Sequence, residues 1–195
     1  MEFSDLVRMR RSVRRYDDRP VPMQLLERIC DAGRWAPSAM NMQPWEFIVV
    51  TDPVVKGQLG DSAGVMGMKW PHIKAAPAVI VLCAKNTSRF AHDDCLLAAE
   101  NMLLQATEFG LGTCYIGGFS PERIRQLLSI PSGYVVPGMI TVGYPAAETK
   151  PPEKRPLSEL MHRNTFEGRG VGVTGYRRAW QTFVKLLKER FRGGT

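Results

Sequence analysis

Pro77-Ala-Val-Ile-Val-Leu-Cys-Ala84 is an uncharged run rich in β-branched residues. It predicts a strand that is apolar on both faces, and such a strand belongs inside a sheet covered on each side by other elements. At eight residues it is far shorter than the roughly 20 apolar residues of a membrane-spanning helix. Just downstream, Cys95, Ala98, Ala99, Met102, Leu103 and Ala106 recur at intervals of three and four before Gly110. That period predicts a helix over 91–109 with a glycine C-cap.

Further along the chain, residues 113–116 read as a strand. Ser120-Pro121-Glu122 opens a helix to Leu128, and Val135 to Val142 forms another strand leading into Gly143-Tyr144-Pro145. Toward the N-terminus, Phe3, Leu6 and Val7 mark one short helix, and Leu25, Leu26, Ile29 and Ala32 mark a second over 22–35. Between them Arg10 to Val21 (RRSVRRYDDRPV) has no apolar period and holds a proline near its end, so it is an extended connector. A polar loop from Ala36 to Pro44 feeds a strand over 46–51, and Asp52-Pro53 begins a helix to about Leu59. Three prolines in residues 150–156 (KPPEKRP) exclude a regular element there. Strands and helices thus alternate irregularly and without repeats, which predicts a mixed α/β or α+β sandwich.

The chain has 195 residues, 44% of them apolar, enough for one domain, or one domain with an extension. The net charge of +7 raises nucleic acid as a partner, but its distribution argues otherwise. From Met161 onward eight basic residues face only Glu167 and Glu189, so the body is nearly neutral apart from the arginines of its first twenty residues. Residues 166–175 contain four glycines and read as a linker. Tyr176, Trp180, Phe183, Val184, Leu187 and Phe191 then share one face of a basic helix. The expected organisation is a domain over 1–162 and an extension over 163–195. Charge interleaved through the opening MEFSDLVRMRRS is unlike a secretory signal, which leads to an expectation of a cytoplasmic protein. Cys30, Cys83, Cys95 and Cys114 lack metal-ligand spacing, and His72, His92 and His162 are scattered, so no metal is expected.

Two stretches carry candidate chemistry. In an extended chain Arg10, Ser12 and Arg14 face the same way and can converge on a phosphate, to which guanidinium groups bind bidentately; a solvated basic turn paired to Asp17 and Asp18 is the alternative. Ser38, Asn41 and Gln43, in Pro37-Ser-Ala-Met-Asn-Met-Gln-Pro44, can offer donors and acceptors to a flat polar heterocycle, or serve as ordinary turn residues. Gly117-Gly118 follows a strand, where glycine permits close approach of a ligand to the backbone. Tyr115 stands where a dinucleotide-binding GxGxxG would need its third glycine, so that fingerprint is rejected. Gly60-Asp-Ser-Ala-Gly64 matches the GxSxG of a hydrolase elbow but lacks the buried strand that must precede it.

Taken together these stretches resemble the FMN-dependent nitroreductase family. Arg10-Arg-Ser-Val-Arg14 looks like its RRSxR motif and Ala36 to Trp45 like its APSxxNxQPW signature. The helix before Gly110, the LGTCYIGGF segment and Val142-Gly-Tyr-Pro145 with the basic proline-rich loop match in order. The resemblance covers roughly residues 3–161. It implies an α+β sandwich with a central mixed, largely antiparallel sheet flanked by helices, in an intertwined homodimer with two FMN sites built from both chains. Arg10, Arg11, Ser12 and Arg14 would hold the phosphate and the pyrimidine side, and Lys154 and Arg155 would reach the same phosphate. Pro37, Ser38, Ala39, Asn41 and Gln43 would come from the partner chain. Gly117 and Gly118 would lie against the isoalloxazine, and Met66, Met68 and Trp70 are candidates for the substrate pocket, with core packing as their alternative.

The implied activity is ping-pong transfer of hydride from NAD(P)H through flavin N5 to nitroaromatic, quinone or activated-alkene acceptors, with no general acid required from the protein. Alternatives are a flavin-fragmenting or dehalogenating enzyme of the same fold, or a flavin- or nucleic-acid-binding protein without turnover. The expected partners are a second copy of the chain and a small aromatic or conjugated acceptor, with neither nucleic acid nor membrane. The basic C-terminal helix is expected to pack on the dimer, with a membrane surface or an acidic protein as the alternative contact.

Overall fold

In chain order the computed structural model, which describes residues 2–65, 68–164 and 166, begins with α1 (Phe3–Met9) and α2 (Met23–Arg34). A 3₁₀ turn (Ala39–Asn41), β1 (Trp45–Val50) and α3 (Pro53–Ser62) follow. Next come a two-residue pair, β2 (Gly64–Val65) and β3 (Met68–Lys69), then α4 (His72–Ala75), β4 (Ala78–Lys85) and α5 (Ala91–Glu108). β5 (Gly112–Ile116), α6 (Pro121–Leu127), β6 (Tyr134–Gly143) and α7 (Leu157–Leu160) complete the order. The chain divides into two compact units, 1–151 and 152–195. Within the second, α7 is the described helix, and the linker and basic helix expected beyond residue 166 lie outside the described residues.

The first unit is built on a four-stranded sheet in the order β1-β4-β6-β5, antiparallel at every pairing. A parallel bridge from Ser12 to Thr113 on β5 makes it mixed. Every residue of β4 except Lys85 is buried, as the uncharged run requires, and alternation sends its side chains into two cores. Ala78, Ile80, Leu82 and Ala84 pack with Leu26 and Ile29 of α2 and with Ala98, Met102 and Ala106 of α5. Val79, Val81 and Cys83 pack with Leu59 of α3, Ile73 of α4 and Ile124 of α6. The result is a helix–sheet–helix sandwich.

Local chemistry sets several element ends as expected, while other features differ; α3, expected to about Leu59, runs on to Ser62. Asp52 caps α3, its Oδ1 accepting from the amides of Val54 and Val55 at 2.8 and 2.9 Å. Gly110 takes φ +72° after α5, and the Leu111 amide bonds back to the Ala106 carbonyl at 2.9 Å. Ser120 makes no side-chain cap bond, and Pro121 in the first turn starts α6 instead. The β2–β3 pair and α4 fall within residues 64–75, for which the sequence pattern predicts no regular element. Pro137 lies within central strand β6, where the pairing with β4 shifts register between Leu82 and Ala84, a bulge that tolerates the missing donor. No helix among the described residues is long and apolar enough to cross a membrane.

Candidate functional site

The connector between α1 and α2 becomes an edge of the sheet. The Val13 amide donates to the Thr113 carbonyl at 2.8 Å and the Asp17 amide to the Tyr144 carbonyl at 2.9 Å. Between them the Tyr16 hydroxyl donates to the Val13 carbonyl at 2.6 Å and lies 2.6 Å from Thr141 Oγ1. Burial is the main reason the Tyr16 phenol is held above its ordinary pKa. Val13 approaches Gly112 so closely that a Cβ there would lie 2.7–2.9 Å from the valine side chain.

This docking fixes the parity of the arginines. Arg11 and Val13 line one cavity, of about 350 Å³, with Gly110 and Glu148. Arg14 lines a different one, of about 100 Å³, with Trp70, His72, Cys114, Gly117 and Gly118. Arg11 is turned to the end of α1, its Nη1 donating to the Arg8 carbonyl and, at 2.9 Å, to that of Arg10. Arg10 lies 3.8 Å from Glu100 of α5, and Ser12 and Arg14 are exposed. Among the described residues no ion pair joins Arg11 or Arg14 to a carboxylate, and the pairing to Asp17 and Asp18 weighed above is absent.

Around the smaller cavity, Trp70 Nε1 donates to the Gly118 carbonyl at 3.1 Å and fixes the turn after β5. A Cβ on Gly117 would meet only the Tyr115 ring, at 3.5 Å, so packing within the chain does not demand glycine there. Burial pushes the Cys114 thiol up while the nearby Arg14 and Arg10 guanidinium groups pull it back. Burial likewise lowers the pKa of His72, and Arg14 acts in the same direction, which favours a neutral imidazole. His72 Nε2 is buried without a hydrogen-bond partner.

His72, Cys114 and Tyr115 line this cavity, and none of the three is among the site residues expected from the sequence. Their signal was position: His72 follows Trp70 by two residues, and Cys114 and Tyr115 lead directly into Gly117-Gly118. Of the three pocket candidates, Trp70 lines the cavity, Met68 belongs to β3, and Met66 lies outside the described residues.

The loop before β1 is a separate feature of the same unit. Its 3₁₀ turn is closed by the Asn41 amide on the Ser38 carbonyl and by the Gln43 amide on Ser38 Oγ, both at 3.0 Å. Gln43 Nε2 donates to the Asn41 carbonyl at 3.3 Å. Pro37, Asn41 and Gln43 are exposed, Ser38 and Ala39 partly so, and none of the five lines the Arg14 cavity. In the second unit Lys154 is exposed, and Arg155 Nε donates to Glu159 Oε2 at 3.2 Å. Ser62, the serine of the GxSxG match, sits at the end of α3 and donates to the Gln58 carbonyl at 2.9 Å, which is not an elbow.

A cavity walled by a guanidinium, an indole and a glycine turn suits a flat ligand bearing an anionic tail. At about 100 Å³ it is smaller than the roughly 300–1,000 Å³ of a cleft that encloses a drug-sized ligand.

Comparison with known proteins agrees with this architecture. The model of the Nitroreductase family matches residues 7–144. A Thermus thermophilus protein named NADH dehydrogenase is 33% identical over 192 residues, covering 78% of this chain and 91% of its own. A nitroreductase family protein from Clostridium difficile 630 superposes with a TM-score of 0.76 at 29% identity, covering 85% of this chain and all of the other. An FMN-dependent nitroreductase from Clostridium difficile R20291 does so with a TM-score of 0.74 at 32% identity, covering 83% and 98%. With the family match spanning the sheet, its helices and the residues around the Arg14 cavity, this chain belongs to the Nitroreductase family.

Proposed function

We propose that the chain is an FMN-dependent oxidoreductase that draws electrons from NAD(P)H and delivers them to nitroaromatic, quinone or activated-alkene acceptors in alternate half-reactions, working as a homodimer. The observation that carries this reading is the cavity shared by Arg14, Trp70, Gly117 and Gly118, in a family with a solved FMN-dependent member. The residues present fit that cofactor. Arg14 is an exposed guanidinium without a carboxylate partner among the described residues, and Gly117, whose added Cβ would make only an ordinary contact with the Tyr115 ring at 3.5 Å, leaves its backbone approachable by a ring.

When bound, FMN supplies the redox chemistry, accepting a hydride equivalent and passing two electrons on. The chain's part is to bind and orient. Arg10, Ser12 and Arg14 offer charge and hydrogen bonds along one side of the connector, and the fixed Gly117-Gly118 turn presents backbone dipoles. Arg11 would contribute by holding the end of α1, from which the connector departs. Lys154 and Arg155 would add positive charge. Pro37, Ser38, Ala39, Asn41 and Gln43 would close the site from the second protomer, and the extension over 163–195 would pack on that dimer. The exposed Trp35 (72%) and Met40 (88%) near this loop support such an interface. Trp70 would face the acceptor, with Met66 and Met68 on the same stretch of chain.

The test is the visible spectrum of the purified protein, or of the protein after addition of FMN, followed by anaerobic NADH and NADPH. The expected result is a flavin absorption of one FMN per chain that is bleached by one or both nicotinamides. A colourless protein that takes up no FMN would overturn the reading, while a bound flavin that neither nicotinamide bleaches would overturn the electron-donor assignment alone.

A further inference from the structure

The loop from Pro37 to Gln43 holds a conformation that its own residues do not favour. Met40, Asn41 and Gln43 stand at φ 50°, 55° and 46°, left-handed values that asparagine tolerates but that cost free energy at Met40 and Gln43. Such strain persists only where the surroundings over-determine it, and it gathers at ligand clamps. The bonds from Asn41 and Gln43 back to Ser38 close the turn without attaching it to the rest of the fold.

An attachment comes from Asp94 in the first turn of α5, whose two carboxylate oxygens accept from the Ala39 amide at 3.3 and 3.2 Å. Asp94 is only 6% exposed and has no cationic partner among the described residues. Burying an unpaired carboxylate is costly. The N-terminal end of α5 offsets part of that cost through the helix dipole, and the Ala39 amide, first in its 3₁₀ turn, offsets more. A side chain that served only to start the helix would not need to be buried against another segment.

We propose that Asp94 is the positioning residue of this loop, pinning the Ala39 amide so that Ser38 and Asn41 are held ready for the cofactor of the neighbouring protomer. The proposal rests on the flavin reading above, since that reading assigns the loop its ligand. It adds a residue that touches no ligand and acts through the backbone of Ala39.

The test compares wild type with Asp94→Ala, Asp94→Ser and Asp94→Asn by two readouts. The first is amide hydrogen exchange of the cofactor-free chain at Ala39 and its neighbours, with the amides of β4 as an internal record of the global fold. The second is the dissociation constant for FMN from quenching of flavin fluorescence. In Asp94→Ala the Ala39 region should exchange about tenfold faster or more with β4 unchanged, and FMN binding should weaken by about tenfold or more, as loss of a hydrogen bond to a charged acceptor implies. Asp94→Asn keeps an acceptor oxygen and should restore most of both. Asp94→Ser, polar but too short to reach Ala39, should behave like Asp94→Ala and decides the matter if the alanine variant loses β4 protection.

Unchanged exchange in the loss variants would overturn the proposal. Faster exchange with unchanged FMN affinity would also overturn it, because the pinned loop would then not serve the cofactor. A wild-type chain that binds no FMN would overturn the flavin reading, and the proposal with it, a result distinct from the other two.

Discussion

Arg10, Arg11 and Arg14 share a side-chain type and a five-residue stretch, yet the fold gives them different surroundings. Arg11 is spent on the carbonyls of Arg8 and Arg10, whereas Arg14 opens onto the Gly117-Gly118 cavity. The two-residue period of an extended chain predicts this division, so the parity was legible while the local duty of Arg11 was not. The double change Arg10→Ala with Arg14→Ala should weaken FMN binding by roughly 10²-fold or more, since each charge-assisted bond contributes about 1.5–3 kcal/mol. Titration of the variant with FMN reads the loss, and an unchanged far-ultraviolet circular dichroism spectrum shows that the fold survives. The half-buried Cys30 and the buried Cys83 and Cys95 support a second prediction. Burial pushes Cys30 and Cys83 up to about 11 and Cys95 to about 12, against about 8.5 for a free thiol. A thiol whose folded pKa is raised binds its proton more tightly in the native state. Its contribution is therefore complete below about pH 8.5 and is lost as pH climbs toward 11–12. Tyr16, raised by burial, acts in the same sense, while buried Lys56, lowered mainly by burial, opposes it. The urea midpoint should fall between pH 7 and pH 10; a rise would mean that Lys56 outweighs the thiols.

At the scale of elements the docking of the connector on β5 depends on a residue with no side chain. A Cβ on Gly112 would come within 2.7–2.9 Å of Val13, and Val13 is itself 5% exposed and branched at Cβ, so it has little freedom to yield. Gly112→Ala should destabilise the protein by about 1–3 kcal/mol, the usual cost of forcing extra volume into a packed site. By displacing the Arg10–Arg14 segment it should also weaken FMN binding beyond what the loss of stability explains. Chemical denaturation and FMN titration on the same sample separate the two effects; loss of stability with unchanged affinity would show that the connector does not place the arginines. The elements most legible in sequence are those whose pattern is strong and whose length exceeds a few residues: β4 with its buried run, α5 with its apolar stripe and glycine stop, and α3 with its Asp-Pro start. The β2–β3 pair and α4 were not legible, because two-residue strands and a four-residue helix have no periodicity to detect and owe their form to what packs on them. Asp94 was illegible for the opposite reason: it sits in a clear helix, and nothing local tells a solvent-facing acid in a first turn from one that reaches a loop 55 residues away.

For the whole molecule, the proposed function requires a cavity of about 100 Å³ and a loop that does not line it to meet on one cofactor. The proposed homodimer meets that requirement if each site takes the arginine connector from one protomer and the Pro37–Gln43 loop from the other, as a two-fold axis would arrange twice. A mixed dimer tests that exchange. Let one chain carry Arg10→Ala with Arg14→Ala and the other Ser38→Ala with Asn41→Ala, each chain bearing its own affinity tag. Either homodimer has two impaired sites, each lacking one half of its contacts. In the mixed dimer the defects redistribute. The site that draws arginines from the first chain and a loop from the second is doubly impaired, while the site that draws them the other way round is wholly wild type. Tandem purification should therefore yield a species with about one FMN per two chains, against little in either homodimer. If each site were built within one chain, the same mixed dimer would hold one arginine-deficient and one loop-deficient site and would bind FMN no better than the average of its parents. The ratio of flavin to protein absorbance thus decides whether the small cavity and the distant loop belong to one site shared across the dimer axis or to a site built within each chain.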